Sequence, residues 1–131
     1  MAEHTALITH QSDLDQYAPP DHNGTVNVRL SDKKFYDAFE MVLGTVKPGG
    51  EAEPHHHENE HQIIYILKGQ ADVQLGDDPV TACGAGDVIR IPPKLRHAVV
   101  ARGDDDFQCV IIYSPPLQKR NDVPVAEKQA L

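Results

Sequence analysis

The sequence predicts a single all-β domain, a sandwich or a closed barrel, on three observations. Short runs rich in Val, Ile, Leu and Tyr recur at intervals of about 8 to 12 residues, the spacing of strands in such folds. Clusters of Gly, Pro and Asp separate them, at Lys47–Gly50, Gly76–Pro79, Gly84–Gly86 and Gly103–Asp106. No stretch of helical length repeats its apolar residues with the 3.6-residue period, beyond a turn or two over residues 12–17.

Taken in order, residues 1–31 are polar and weakly patterned, broken by Pro19-Pro20 and by the turn signal Asn23-Gly24. Val26–Leu30 alternates and reads as a short strand. From Phe35 to Val46 β-formers recur without a helix cap, and Lys47–Gly50 ends the run. Gln62–Leu67 is Ile-rich and stops at Lys68-Gly69. Ala71–Leu75 alternates, Val80–Ala82 is a short extended piece, and Val88–Ile91 runs into Pro92-Pro93. His97–Ala101 and Phe107–Tyr113 complete the set, the last halted by Pro115-Pro116. The tail from Leu117 to Leu131 is polar and expected to be loosely ordered. The chain thus divides into an N-terminal arm (1–34), a barrel (35–114) and a polar tail (115–131).

At 131 residues one domain can bury a core without disulfides. A net charge of -8 argues against nucleic acid and against an anionic membrane surface as partners. Cys83 and Cys109 lie in no thiol motif and read as small buried or half-buried hydrophobes in a reducing compartment. No basic-then-apolar leader is visible, and no apolar run approaches the roughly 18 residues of a membrane span, so the expected location is cytoplasmic.

Chemistry concentrates in the histidines. Residues 50–69 hold four of the chain's eight, and His97 follows the Val88–Ile91 strand. His55 and His57, two apart, share a face of an extended chain. With His97 from a distant strand they make a converging set of imidazoles suited to a transition metal. On the Gln62 strand, Gln62, Ile64 and Ile66 face one way and Ile63 and Tyr65 the other, while His97, Val99 and Ala101 share a face. His56 alternates outward, and His4, His10 and His22 lie outside any pattern; all four read as surface residues. Arg90 and Arg96 read as exterior salt-bridge residues or as partners of a substrate carboxylate. Tyr36, Phe39, Phe107 and Tyr113 read as core aromatics or as pocket lining.

Two motifs resemble those of the cupins, small double-stranded β-helix or jelly-roll barrels. Gly49, five residues, His55-x-His57 and the closing Gly69 match the first; Gly86, Pro92 and His97 match the second, with Lys94 in place of its glycine and Ala101 in place of its asparagine. The resemblance covers residues 35 to 113 and implies one divalent transition metal (Fe, Mn, Ni or Zn) on His55, His57, Gln62 and His97. Gln62 stands where the motif has glutamate, and His61 competes for that position. The run Glu60–Gly69 is similar to glutamine-bearing cupins that linearise unsaturated uronates and to metal-bearing polyketide cyclases, though one residue is inserted between His57 and the glutamine. Glu58 and Glu60 are expected as solvated loop charges or as groups assisting the site.

The resemblance implies a metal-dependent isomerase, cyclase or lyase acting on a small oxygenated carbonyl substrate, with Glu60 or His61 moving a proton. Two other activities stay open: an Fe(II) dioxygenase of a diketone- or catechol-like substrate, and a non-catalytic metabolite binder. Cupins commonly pair as homodimers, and Val26–Leu30 is the candidate for a strand added to the partner's sheet.

Overall fold

The computed structural model describes residues 3–118 and 122–131 and is all-β. Ten strands follow two single 3-10 turns at Thr5–Leu7 and Gln11–Asp13: β1 Gln16–Ala18, β2 His22–Ser31, β3 Glu40–His55, β4 His61–Lys68, β5 Gln70–Leu75, β6 Thr81–Gly84, β7 Val88–Ile91, β8 His97–Arg102, β9 Phe107–Ser114 and β10 Val123–Pro124. Among the described residues no helix is long and apolar enough to cross a membrane.

The long β3 organises the molecule by serving two walls. Its first half, Glu40 to Val46, pairs with β9, which pairs with β4 and through it with β7. Its second half, Glu51 to His55, pairs with β8, then β5 and β6. The Lys47–Gly50 turn signal therefore does not end the strand; it marks where the strand passes from one wall to the other. At the front, residues 35–39 form turns, so β3 begins at Glu40, later than the β-formers suggest.

Alternation does the rest. In β4 and β9 every second residue is buried: Gln62, Ile64 and Ile66, then Phe107, Cys109, Ile111 and Tyr113. These inward rows meet Val42, Val46, Ala71, Val73, Ile89 and Ile91 to form one core. Each fully buried aliphatic or aromatic side chain there contributes about 1.5–3 kcal/mol relative to exposure. Gly69 ends β4 at φ +84, and a Cβ there would meet Asp106 O at 2.6 Å and Phe107 Cα at 2.7 Å. Both conformation and space demand glycine at the close of the first motif.

The arm and tail are part of the structure. Val26–Leu30 lies inside β2, which pairs with this chain's own β3 on one side and β1 on the other. The tail, expected to be loose, is instead clasped: β10 pairs with β1, and Gln16 exchanges side-chain hydrogen bonds with the Gln129 backbone at 2.7 and 2.8 Å. Fully buried Glu40 accepts from Arg29 Nε at 3.0 Å and from Leu117 N at 3.0 Å, while Arg29 also donates to Asp122 at 2.9 Å. Arg29 further lies over the Tyr17 ring, 4.2 Å from its centroid. Polar composition suggested disorder because each of these charges finds its partner far away in sequence.

Candidate metal centre

β3 ends at His55, directly opposite His97, the first residue of β8. A register shift between Ala52 and His55 keeps both on the inner face although they are three residues apart. His57 follows just beyond the strand end. Its carbonyl accepts from Lys94 N at 2.7 Å, which fastens the β3–β4 loop to the β7–β8 loop. Lys94 occupies the glycine place of the second motif and adopts φ 72, the left-handed conformation that glycine would enter without strain.

The three rings converge. Centroids are 4.4 Å apart for His55 and His97, 5.0 Å for His55 and His57, and 5.4 Å for His57 and His97. One ring nitrogen from each lies within 4.8 Å of the others, a spacing that metal–nitrogen bonds of about 2.1 Å can close. Neighbouring carbonyls set the tautomers: His55 Nδ1 donates to Glu53 O at 2.7 Å and His97 Nδ1 to Leu95 O at 2.9 Å. Each Nε2 is then left with a lone pair, the arrangement that metal-binding histidines use.

A direct test of fit is which buried polar atoms lack a partner. They include His57 Nε2, His97 Nε2 and Gln62 Oε1. Gln62 donates through Nε2 to the Tyr113 hydroxyl at 3.3 Å, so its carbonyl oxygen is the open end. Orphaned acceptors of this kind are costly to bury, and a cation would satisfy all three at once. Two of the imidazoles are also held toward the neutral form a metal needs. Burial, then the neighbouring histidines, lowers His57 to about 4, and burial lowers His97. The three histidines fit a divalent ion, and Gln62, its oxygen open, lines the same cavity as His55 and His97.

Other expected residues fall elsewhere. His61 is exposed, on the face of β4 opposite Gln62. Glu60 is buried, with Oε1 accepting from Asn59 N at 3.3 Å. Neither lines the cavity beside the histidines. His56 bonds Glu58 at the surface, 2.6 Å away, as its alternation implied. Arg90 and Arg96 are exposed and outside the cavity lining, so neither stands where a bound substrate would meet it. Tyr36 and Phe39 pair edge to face in the β2–β3 turn, whereas Phe107 and Tyr113 do line the cavity.

The cavity itself has about 60 Å³ of free volume, room for about four water-sized positions, and opens beside the metal ligands. Its depth is apolar, formed by residues such as Val46, Ile64, Phe107 and Ile111. Cys109 contributes a thiol pushed up to about 12 by burial and therefore unreactive; both cysteines are free. Two lining residues, His22 and Asn27, escaped the sequence reading, and Tyr113 takes the pocket-lining place offered for it. His22, read as a surface residue, lies 6.1 Å from His55 by ring centroids, bonds Thr25 Oγ1 through Nδ1 at 3.1 Å, and is lowered to about 4 by burial and then His55. Tyr113 is buried and its hydroxyl pKa raised by that burial. Asn27 is buried with its Oδ1 unpartnered. His22 sits opposite Ala52, close to the end of β3, next to the irregular pairing between Asn23 and Thr25.

A family model for the cupin domain matches residues 42–113. Protein SchB of Streptomyces halstedii is 28% identical over 83 residues, 63% of this chain and 59% of that protein, so the match spans less than two thirds of the relative. The polyketide cyclase RemF of Streptomyces resistomycificus superposes with a TM-score of 0.73 at 25% identity, covering 93% of this chain and 87% of that one. KdgF from a Halomonas species gives 0.66 at 22% identity, covering 76% and 86%.

Proposed function

This chain belongs to the cupin family, and from that premise we propose that it is a metal-dependent enzyme acting on a small oxygenated carbonyl compound without a redox step, an isomerase, cyclase or lyase. The observation that carries the reading is the convergence of His55, His57 and His97 with three buried unpartnered atoms, His57 Nε2, His97 Nε2 and Gln62 Oε1, two of which belong to residues lining one small cavity. Likeness to a polyketide cyclase over nearly the whole chain supports the cyclase and isomerase side of it.

A divalent ion held there supplies Lewis-acid stabilisation of a developing enolate or alkoxide oxygen. The protein's part begins with charge. Three imidazoles and an amide are all neutral, so the donor set leaves the cation's charge undiminished for the substrate, where a glutamate would cancel one unit. Neutral imidazoles cannot choose among first-row ions, so Fe, Mn, Ni and Zn all suit them. The apolar walls keep the reacting end of the substrate out of bulk water and strengthen each electrostatic contact. The Tyr113 hydroxyl accepts from Gln62 Nε2 and retains its own proton for donation into the cavity. His22, held through Nδ1 by Thr25, keeps a second ring nitrogen for exchange with substrate. The proton step is assigned to these two lining residues ahead of Glu60 and His61.

The test is metal analysis of protein purified without chelators, followed by deuterium uptake at the α-carbon of a 1,3-diketone under anaerobic conditions. Exchange that needs the bound metal and no oxygen is the expected result. Oxygen consumption by the iron-loaded protein would replace this reading with a dioxygenase, and binding without exchange would leave a carrier.

We propose further that two copies associate. Ile63, Tyr65, Leu67 and Val88 form an exposed apolar patch on the outer face of β4 and β7. Such patches on soluble domains mark contact surfaces. Sedimentation equilibrium should give twice the chain mass; a monomer at micromolar concentration would contradict the pairing.

A further inference from the structure

One wall of the cavity is built by β2, whose His22, Thr25 and Asn27 line it. His22 and Thr25 satisfy each other at 3.1 Å. Asn27 does not share in this. Its side chain is 95% buried (5% exposed) and hydrogen-bonds the Tyr17 hydroxyl, yet its Oδ1 has no partner.

Opposite that oxygen is Gly44, its cross-strand neighbour in β3. Gly44 has no left-handed backbone to explain it, and glycine inside a strand weakens the strand. What its missing side chain permits is the close approach of the Asn27 amide to β3. A Cβ placed there would lie 3.2 Å from Asn27 Oδ1, 3.4 Å from Ile111 Cδ1 and 3.5 Å from Cys109 Sγ. A buried acceptor without a partner in the wall of a cavity is a place for a ligand's donor, since buried acceptors are otherwise paired.

We infer that Asn27 Oδ1, left uncovered by Gly44, is a specificity subsite that accepts a hydrogen bond from a hydroxyl or N–H on the far end of the substrate. This rests on the chelated-carbonyl reading above and adds the substrate's other end. An amide oxygen only accepts, so a ketone or carboxylate is rejected there and a donor selected. Asn27 is level with Gly44 and Cys109, whereas Gln62 is level with Tyr113, four residues further along β9. Roughly 13 Å of strand separates the two levels before side chains shorten the gap. The donor therefore stands several bonds from the chelating oxygens, on a tail slim enough for about four atoms, matching the free volume.

The experiment uses zinc-loaded protein and a matched pair of probes, 2-oxopentanoate and 5-hydroxy-2-oxopentanoate, which differ only in a terminal hydroxyl. Calorimetry should show the hydroxylated probe binding about 10-fold more tightly, the worth of one well-made buried hydrogen bond. Asn27→Leu should reduce that ratio to about 1. Because this change also removes the Tyr17 contact, Gly44→Ala is the companion variant: it leaves that contact in place, covers the oxygen, and should abolish the preference with zinc content unchanged. Equal binding of both probes to the unmodified protein, or a preference that survives both variants, would overturn the subsite while leaving the chelation reading intact. Failure of both probes to bind better with zinc than without would instead sink the chelation reading and the subsite with it.

Discussion

His97 is the ligand most tightly specified by its surroundings: buried, opposite His55 in the ladder, and held by the Leu95 carbonyl. Replacing it with alanine should lower metal affinity by more than about 100-fold, since loss of an outer partner alone commonly costs 10- to 100-fold. Chelator competition measures this. Gln62→Glu should act in the opposite direction, tightening the metal while slowing any exchange that depends on its charge, because one unit of positive charge is cancelled at the donor set. Spacing and strand parity made His55, His57 and His97 legible in the sequence, whereas Gln62 came only from the resemblance to the cupin motif, with His61 as its rival. His22 and Asn27 were not legible, because what makes them functional is β2 lying along β3, a contact between residues some 17 to 30 positions apart that no local pattern encodes.

At the scale of elements, the β7–β8 loop carries a strained residue. Lys94 at φ 72 costs about 1–2 kcal/mol over an ordinary conformation, part of which glycine would return in unfolded-state entropy. Lys94→Gly should therefore stabilise the protein by about 0.5–1 kcal/mol in denaturant titration, leaving the backbone bond to His57 intact. The clasp between β2 and the tail makes an opposite case. Arg29→Ala removes a charge partner from buried Glu40 and should cost about 2–3 kcal/mol, read as a fall in Tm. The strands were readable from period-two alternation and turn residues. The two-wall role of β3 and the ordering of residues 122–131 were not, since both depend on distant pairings.

For the whole molecule, protons and metal compete for the same folded state. His22 and His57 have folded pKa values of about 4 against an ordinary 6.5, so between those values the unfolded chain binds protons that the native chain does not. Stability of the metal-free protein should be full above about pH 6.5 and fall progressively as the pH drops toward 4, a trend that thermal melts at stepped pH would show. A ligand that binds only the native state at 100 times its Kd adds about 2.7 kcal/mol. Excess zinc at neutral pH should thus raise the Tm by several degrees, chelator should reverse the gain, and acid should erase it as imidazoles take up protons.

Gln11 Nε2 bonds the Leu131 carbonyl at 3.5 Å, and Gln16 bonds the backbone of Gln129, so residues 129–131 lie against residues 11–16. The exposed Gly103–Asp106 connection between β8 and β9, away from the histidines, is by contrast free of such ties, and a segment inserted there would leave both walls and the cavity between them in place.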